Sequence, residues 1–266
     1  MSDINEAATV AFSEYITSCT VIVTSDEDRF DHGSGVAVRY KGKEYILTAA
    51  HVLKPLQDHR KLKFLGRPSV PFKNVKFNQL PDIRDKRISS FGFSEAASVH
   101  ISKCIYGVPA EDVAAIEVKN VQDSLPQTIF HDLSEHGSVQ PLAGTLASAF
   151  GFPGEIATHV THEITGHRGV MLLSLHMDVK VQDISLAPEK LNPAINFITD
   201  YTFEESGCDP KGMSGCGIWS RPKHSTGFVW SPYTTRLLGI QSSFYPRSKL
   251  LFVVKIERVM SILSQQ

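Results

Sequence analysis

Hydrophobic and polar positions recur along this chain with two different periods, and the change of period divides it. Between Asn5 and Thr17 the apolar residues Ala7, Ala8, Val10, Ala11, Phe12, Tyr15 and Ile16 fall at the three- and four-residue spacing of a helix face, which predicts a helical segment over residues 1–18. From Cys19 onward the apolar runs become short and β-branched: Cys19 to Thr24, Gly33 to Val38 and Glu44 to Ala50, joined by Asp, Gly and Lys turns. Residues 57–97 mix charge, proline and weak periodicity and read as loops with one or two strands. Strand texture returns at Ser98 to Tyr106 and Val113 to Val118, and again at Gly144 to Phe150, Val170 to Leu175, Ile195 to Tyr201, Gly215 to Trp219, Arg236 to Gln241 and Leu251 to Val254. The final stretch, Ile256 to Leu263, reads as a C-terminal helix following a strand. Many short strands with frequent turns predict an all-β sandwich or barrel. The polar stretch from Asn120 to Pro141 supplies a connection, near 123–142, between a first unit over 19–122 and a second over 143–266.

Composition narrows the partners without naming a function. The 266 residues, 42% hydrophobic and 21% charged, suffice for one large domain or two small ones. The formal net charge is -1, and basic residues interleave with acids, as in Arg84-Asp85-Lys86-Arg87, so no footprint for a nucleic-acid partner is present. Met1 to Glu6 lack a basic stretch leading into an apolar one, and no run approaches the roughly 18 to 20 apolar residues that span a bilayer. The expectation is a soluble, cytoplasmic protein without a membrane partner. Cys19, Cys104, Cys208 and Cys216 form no C-x-x-C pair and no disulfide framework, so reduced thiols are expected.

Three short segments carry candidate chemistry. Serine is a weak nucleophile, so acyl transfer needs an imidazole to take its proton, a carboxylate to fix the imidazole tautomer, and two backbone N–H groups facing the developing oxyanion. The chain offers Thr48-Ala49-Ala50-His51-Val52 at the end of a strand, Asp112-Val113-Ala114-Ala115-Ile116 at the start of one, and Gly212-Met213-Ser214-Gly215-Cys216-Gly217 in a glycine-rich turn. Each alone is commonplace. Together they run in the order His, Asp, Ser, with separations of 61 and 102 residues, which suits two elements in a first unit and one in a second.

On these residues the sequence resembles the trypsin-like (chymotrypsin-fold) serine peptidases, over nearly the whole chain from Cys19 to Leu263. Thr48-Ala49-Ala50-His51 is similar to the family's T-A-A-H, Asp112 to Ile116 to its D-I-A-L-L, and Gly212-Met213-Ser214-Gly215 to its G-D-S-G. Gly33-Ser34-Gly35-Val36 resembles the strand ahead of the histidine, and Gly151-Phe152-Pro153-Gly154 the turn that opens the second barrel in bacterial members. The resemblance implies two six-stranded antiparallel β-barrels, here with an N-terminal and a C-terminal helix, and a His51, Asp112, Ser214 triad. It places the oxyanion hole at the backbone N–H groups of Gly212 and Ser214, each contributing roughly 3 to 4 kcal/mol to transition-state stabilisation. It implies a protein or peptide substrate and no metal or organic cofactor.

The departures from the family pattern bear on regulation and specificity. Val52 stands where secreted members have a half-cystine, and Met213 where they have the aspartate that pairs with a freshly cut N-terminus. The zymogen switch of those enzymes is therefore excluded, which leaves constitutive competence or control by a regulatory partner, a ligand or loop ordering. Gly212-Met213-Ser214-Gly215 is similar to stand-alone intracellular bacterial members. By the resemblance Cys208 lies at the floor of the pocket for the cleavage-site side chain, Gly239 to Phe244, including Ser242, forms the strand against which substrate backbone docks, and Phe244 narrows or closes the pocket rim.

Two rival readings use other residues. His159, His162 and His167 cluster, but His162-Glu163-Ile164-Thr165-Gly166-His167 has one residue more than H-E-x-x-H, which on a helix rotates the second imidazole by about 100°. Cys208 and Cys216 fit no common zinc spacing. The alternative from another class is a latent or inactive two-barrel scaffold that binds a partner or peptide. Phe244 and the missing zymogen switch favour it, whereas the complete set of three side chains favours activity.

Overall fold

Period-two runs become strands because alternate side chains reach opposite faces of a pleated sheet, and here they pair almost wholly antiparallel. The structure, a computed structural model of the chain, describes residues 2–25, 32–54, 62–65, 75–77, 88–90, 100–108, 111–120, 125–134, 139–154, 158–162, 168–171, 173–201, 208–221 and 231–265. The first half opens with helix α1 (Ser2–Ser18) and continues through β1 (Thr20–Ser25), β2 (His32–Tyr40), β3 (Lys43–Ala49), the single turn α2 (Ala50–Leu53), β4 (Leu62–Leu65), β5 (Val75–Phe77), β6 (Ile88–Ser90), β7 (His100–Tyr106), β8 (Val113–Lys119) and β9 (His131–Asp132). The second half has β10 (Leu146–Gly151), β11 (Thr158–His162), β12 (Arg168–Met171), β13 (Leu173–Gln182), β14 (Asn196–Asp200), β15 (Gly217–Ser220), β16 (Leu237–Tyr245), β17 (Leu250–Lys255) and helix α3 (Ile256–Ser264).

In the second half β10, β15, β16, β17, β14 and β13 pair in that order, and β13 returns to β10, which closes a six-stranded antiparallel barrel. Its interior is legible as alternation on β13, where Leu175, Met177, Val179 and Val181 point inward between His176, Asp178 and Lys180. Ala147 and Ala149 of β10 and Ile218 of β15 meet them there. In the first half the order is β4, β1, β2, β3, β8, β7, with β9 added in parallel beside β2. Among the described residues no pairing joins β4 to β7, so two closed barrels reduce to one barrel and one open sheet. The strands that lie between β4 and β7 in sequence go elsewhere: β5 pairs with β11, and β6 with β13, both in the other half. The segment expected to be a plain connection also differs, since it contributes β9 to the first sheet.

One core cluster joins the two halves. Phe12 and Ile16 of α1, Val36 and Leu47 of the first sheet, Phe150, Trp219 and Ile240 of the barrel, and Val259 and Ile262 of α3 all belong to it. Each such fully buried side chain stabilises the fold by about 2 kcal/mol. Helix α1 reaches both sides: Tyr15 hydrogen-bonds His131 Nδ1 at 2.8 Å, and Ser13 hydrogen-bonds His176 Nδ1 at 3.0 Å. Among the described residues no helix is long and apolar enough to cross a membrane.

Candidate active site

Strand register brings the first two candidate residues together. On β3 and β8, Ala49 pairs with Val113 and Thr48 with Ala114, so the chain leaving β3 lies beside the chain entering β8. The Ala50 N–H donates to Asp112 O at 3.1 Å. Directly beyond, the Asp112 carboxylate accepts twice from one residue, Oδ1 from the His51 backbone N–H at 2.9 Å and Oδ2 from His51 Nδ1 at 2.7 Å. Asp112 has φ +47°, a left-handed conformation that aspartate tolerates better than most residues. Sequence gave no hint of it. The imidazole keeps 43% of its side-chain surface exposed, so its far edge faces solvent.

The Ser214 loop is seated against the same strand ends. Gly212 has φ +95° and Gly215 φ +90°, which only glycine adopts readily. A side chain on Gly215 would overlap Ser34 O and Thr48 Oγ1 and begin 3.0 Å from Ala49 N, two residues before His51. Val52 Cγ1 and Ser214 O lie 2.7 and 3.0 Å from where a side chain on Gly33 would begin, which measures how near the residue after His51 comes to the Ser214 backbone. Among the described residues no hydrogen bond joins Ser214 Oγ to His51.

Within this loop the backbone donors divide into used and unused. Lys211 N–H donates to Asp209 Oδ1, Met213 N–H to Pro210 O, Gly215 N–H to Gln241 O and Cys216 N–H to Met213 O. Among the described residues the N–H groups of Gly212 and Ser214 have no acceptor. Ser214 itself is partly exposed, so its own N–H and that of Gly212, two residues before it, are donors available to a ligand.

Two residues that motif reading did not single out hold the loop. Ser34, fully buried on β2, donates its N–H to Ser214 O at 2.8 Å and its hydroxyl to Gly212 O at 3.1 Å. It accepts from the Phe152 N–H at 3.0 Å and, at its own carbonyl, from Thr48 Oγ1 at 2.8 Å. Ser34→Ala leaves the Phe152 donor buried without a partner and is expected to lower unfolding stability by about 2 kcal/mol, read as a fall in the urea midpoint at unchanged slope. An unchanged midpoint would show that this serine is not the tie between the halves. On the other side Gln241 grips the loop by its backbone, donating to Cys216 O and accepting from Gly215. A glutamine ending the apolar run from Leu237 to Ile240 was the available signal.

Of the expected specificity residues, Cys208 lies in the barrel interior and Phe244 packs against it. Cys208 is buried in the cluster that also holds Tyr201, Met213 and Cys216, with Tyr201 donating its hydroxyl to Cys208 O at 2.6 Å. Phe244 is half-buried against that cluster, its ring tilted 60° to Tyr201 at 5.2 Å between centroids. Ser242 sits where the register between β16 and β17 shifts, and its hydroxyl donates to Phe252 O at 3.3 Å. Ser206 and Gly207, just before Cys208, lie outside the described residues.

Thiol chemistry is disfavoured in this loop. Burial pushes the Cys216 thiol up to about 12 and Cys19 well above the ordinary thiol range, while partly buried Cys104 is raised to about 11. Nucleophilic sulfur must be a thiolate, so Cys216 is poorly suited to act as a nucleophile. Cys208 and Cys216 are both free cysteines. Among the described residues no group of three His, Cys, Asp or Glu side chains is placed to hold a metal ion. Of the histidine cluster, His159 and His162 are on β11, and His167 lies outside the described residues.

Comparison with known proteins finds no family model that matches this chain and no curated sequence that matches it significantly.

Proposed function

We propose that this protein is a serine endopeptidase of the trypsin-like, chymotrypsin-fold kind, acting on a protein or peptide substrate through His51, Asp112 and Ser214. The observation that carries the reading is the two-point hold of Asp112 on His51 beside a glycine turn whose Gly212 and Ser214 amides lack acceptors among the described residues. Each element of acyl transfer then has a group. With Asp112 accepting from Nδ1, the His51 lone pair is on Nε2, free to take the Ser214 proton as Oγ attacks the substrate carbonyl. The oxyanion that forms is met by the Gly212 and Ser214 N–H groups. His51 passes its proton to the leaving amine, the peptide C–N bond breaks, and Ser214 is left as an ester that water, deprotonated by His51, hydrolyses. In unliganded sites the nucleophile–base hydrogen bond is commonly long and tightens on substrate binding, so its absence between Ser214 and His51 is compatible with this sequence of steps.

The second reading, a latent scaffold, has one observation in its favour. Phe244 lies edge-on to Tyr201 over the cluster that contains Cys208, where a pocket for the cleavage-site side chain is expected. One experiment separates the two. The intact mass after incubation with a fluorophosphonate should rise by one phosphonyl group in the wild type and stay unchanged in Ser214→Ala, with His51→Ala labelled far more slowly. An unlabelled wild type makes the latent scaffold the better description, and a label on Ser214→Ala removes Ser214 as the nucleophile.

A further inference from the structure

The turn that presents Asp112 is anchored from the far end of the chain. Its preceding residue, Glu111, is 6% exposed, and its Oε1 accepts from Arg258 Nε at 2.8 Å. Arg258 belongs to α3, 147 residues away in sequence. Glu111 Oε2 is buried with no hydrogen-bond partner among the described residues, so this carboxylate is held through its other oxygen. Helix α3 also packs here directly: Ile262 Cδ1 and Glu111 Oε2 lie 3.3 and 3.0 Å from where a side chain on Gly107 would begin. Around the turn, the Glu111 N–H donates to Val108 O and the Gly107 N–H to Val113 O.

These contacts meet at one strained peptide. With φ at +47°, Asp112 occupies a conformation that an unconstrained chain leaves readily. Relaxation to negative φ would swing its carboxylate away from both His51 contacts. Backbone bonds fix Asp112 on the β8 side and through Ala50, while on the Glu111 side the fastening described is the Val108 bond and the ion pair to α3. A buried carboxylate left without its cation would draw the turn toward water.

We propose that Arg258 is a positioning residue: by holding Glu111 from the C-terminal helix, it keeps the Glu111–Asp112 turn in the conformation that presents the Asp112 carboxylate to His51. The effect on catalysis rests on the peptidase reading, whereas the coupling between α3 and His51 does not.

The test compares full-length wild type with Arg258→Met, Arg258→Lys, the neutral pair Glu111→Gln/Arg258→Met, and Val259→Ala. The last disturbs the buried face of α3 and leaves the ion pair in place. Two quantities are read on folded protein: the tautomer of neutral His51, from its ring 15N shifts, and the rate of fluorophosphonate labelling. Wild type is expected as the Nδ1–H tautomer. Arg258→Met should become a mixture of tautomers with labelling slowed about tenfold, and Arg258→Lys, which keeps a cation but not the planar fork, should stay within about threefold of wild type. The neutral pair, free of any stranded charge, should remain slow, which keeps the test decisive if Arg258→Met folds poorly. Val259→Ala should melt earlier yet keep the wild-type tautomer and rate. A wild-type tautomer in Arg258→Met or in the neutral pair overturns the proposal. If wild type holds the Nδ1–H tautomer but takes no label, the peptidase reading fails and the positioning role is decided by the tautomers alone.

Discussion

Asp112→Asn is expected, on the proposed peptidase mechanism, to slow phosphonylation of Ser214 and hydrolysis of any peptide substrate by on the order of 10⁴ while leaving the fold in place. The carboxylate accepts from two donors on one residue, the His51 N–H and His51 Nδ1. An asparagine has one oxygen and one NH₂ to offer them. If its oxygen stays on the backbone N–H, its NH₂ faces Nδ1, which must then be the bare nitrogen, and the ring proton moves to Nε2. That tautomer cannot accept the Ser214 proton. If the side chain turns the other way, two donors face each other at the His51 amide and the imidazole loses its backbone anchor. The φ of +47° remains tolerable because asparagine favours the left-handed region as aspartate does, so stability should change by less than about 1 kcal/mol. Labelling rates and thermal melts on the same samples check both halves. A variant within tenfold of wild type would show that the Asp112–His51 pair is not part of the reacting machinery.

Gly215→Ala is expected to have the largest effect on folding, a loss of more than about 4 kcal/mol. At φ +90° an alanine is strained before any contact is considered. Its methyl would also meet Ser34 O and Thr48 Oγ1, the first a backbone carbonyl and the second a buried hydroxyl that donates to that same carbonyl. Neither withdraws without disturbing the Thr48–Ser34 bond between β3 and β2, or Ser34 itself, which ties the Ser214 loop to β2. Domains of this kind are stable by about 5–15 kcal/mol in total, so the variant should melt many degrees earlier or fail to accumulate in soluble form. A melting temperature within a few degrees of wild type would mean that the loop does not sit against these strands.

These two residues also show how unevenly the site could be read. The His51, Asp112 and Ser214 segments stand out in sequence because each pairs a reactive side chain with a local signature, a strand end, a strand start or a glycine turn. Ser34 lay within a quoted motif without a role, since its four hydrogen bonds reach residues 14 to 180 positions away. Arg258 and Glu111 had no local signal at all, because an ion pair across 147 residues leaves no spacing pattern. Phe244 and Cys208 were expected at one pocket; both contact Tyr201, whose ring between them had no signal in the sequence.

The same division holds for the architecture. The sequence determined which stretches are strands and which are helices, because that choice depends on periodicity within five to fifteen residues, and α1, α3 and most of the long strands lie where the pattern put them. Only the tertiary structure decided how the strands are partnered. Alternation fixes which face of a strand is buried but not its neighbour, so the barrel closing through β10 and β13 could not be read along the chain, nor could β5 and β6 crossing to the other half. The left-handed turn at Asp112 belongs to the same class. A strained φ persists only where distant contacts over-determine it, and those contacts exist only once β8, α2 and α3 have come together.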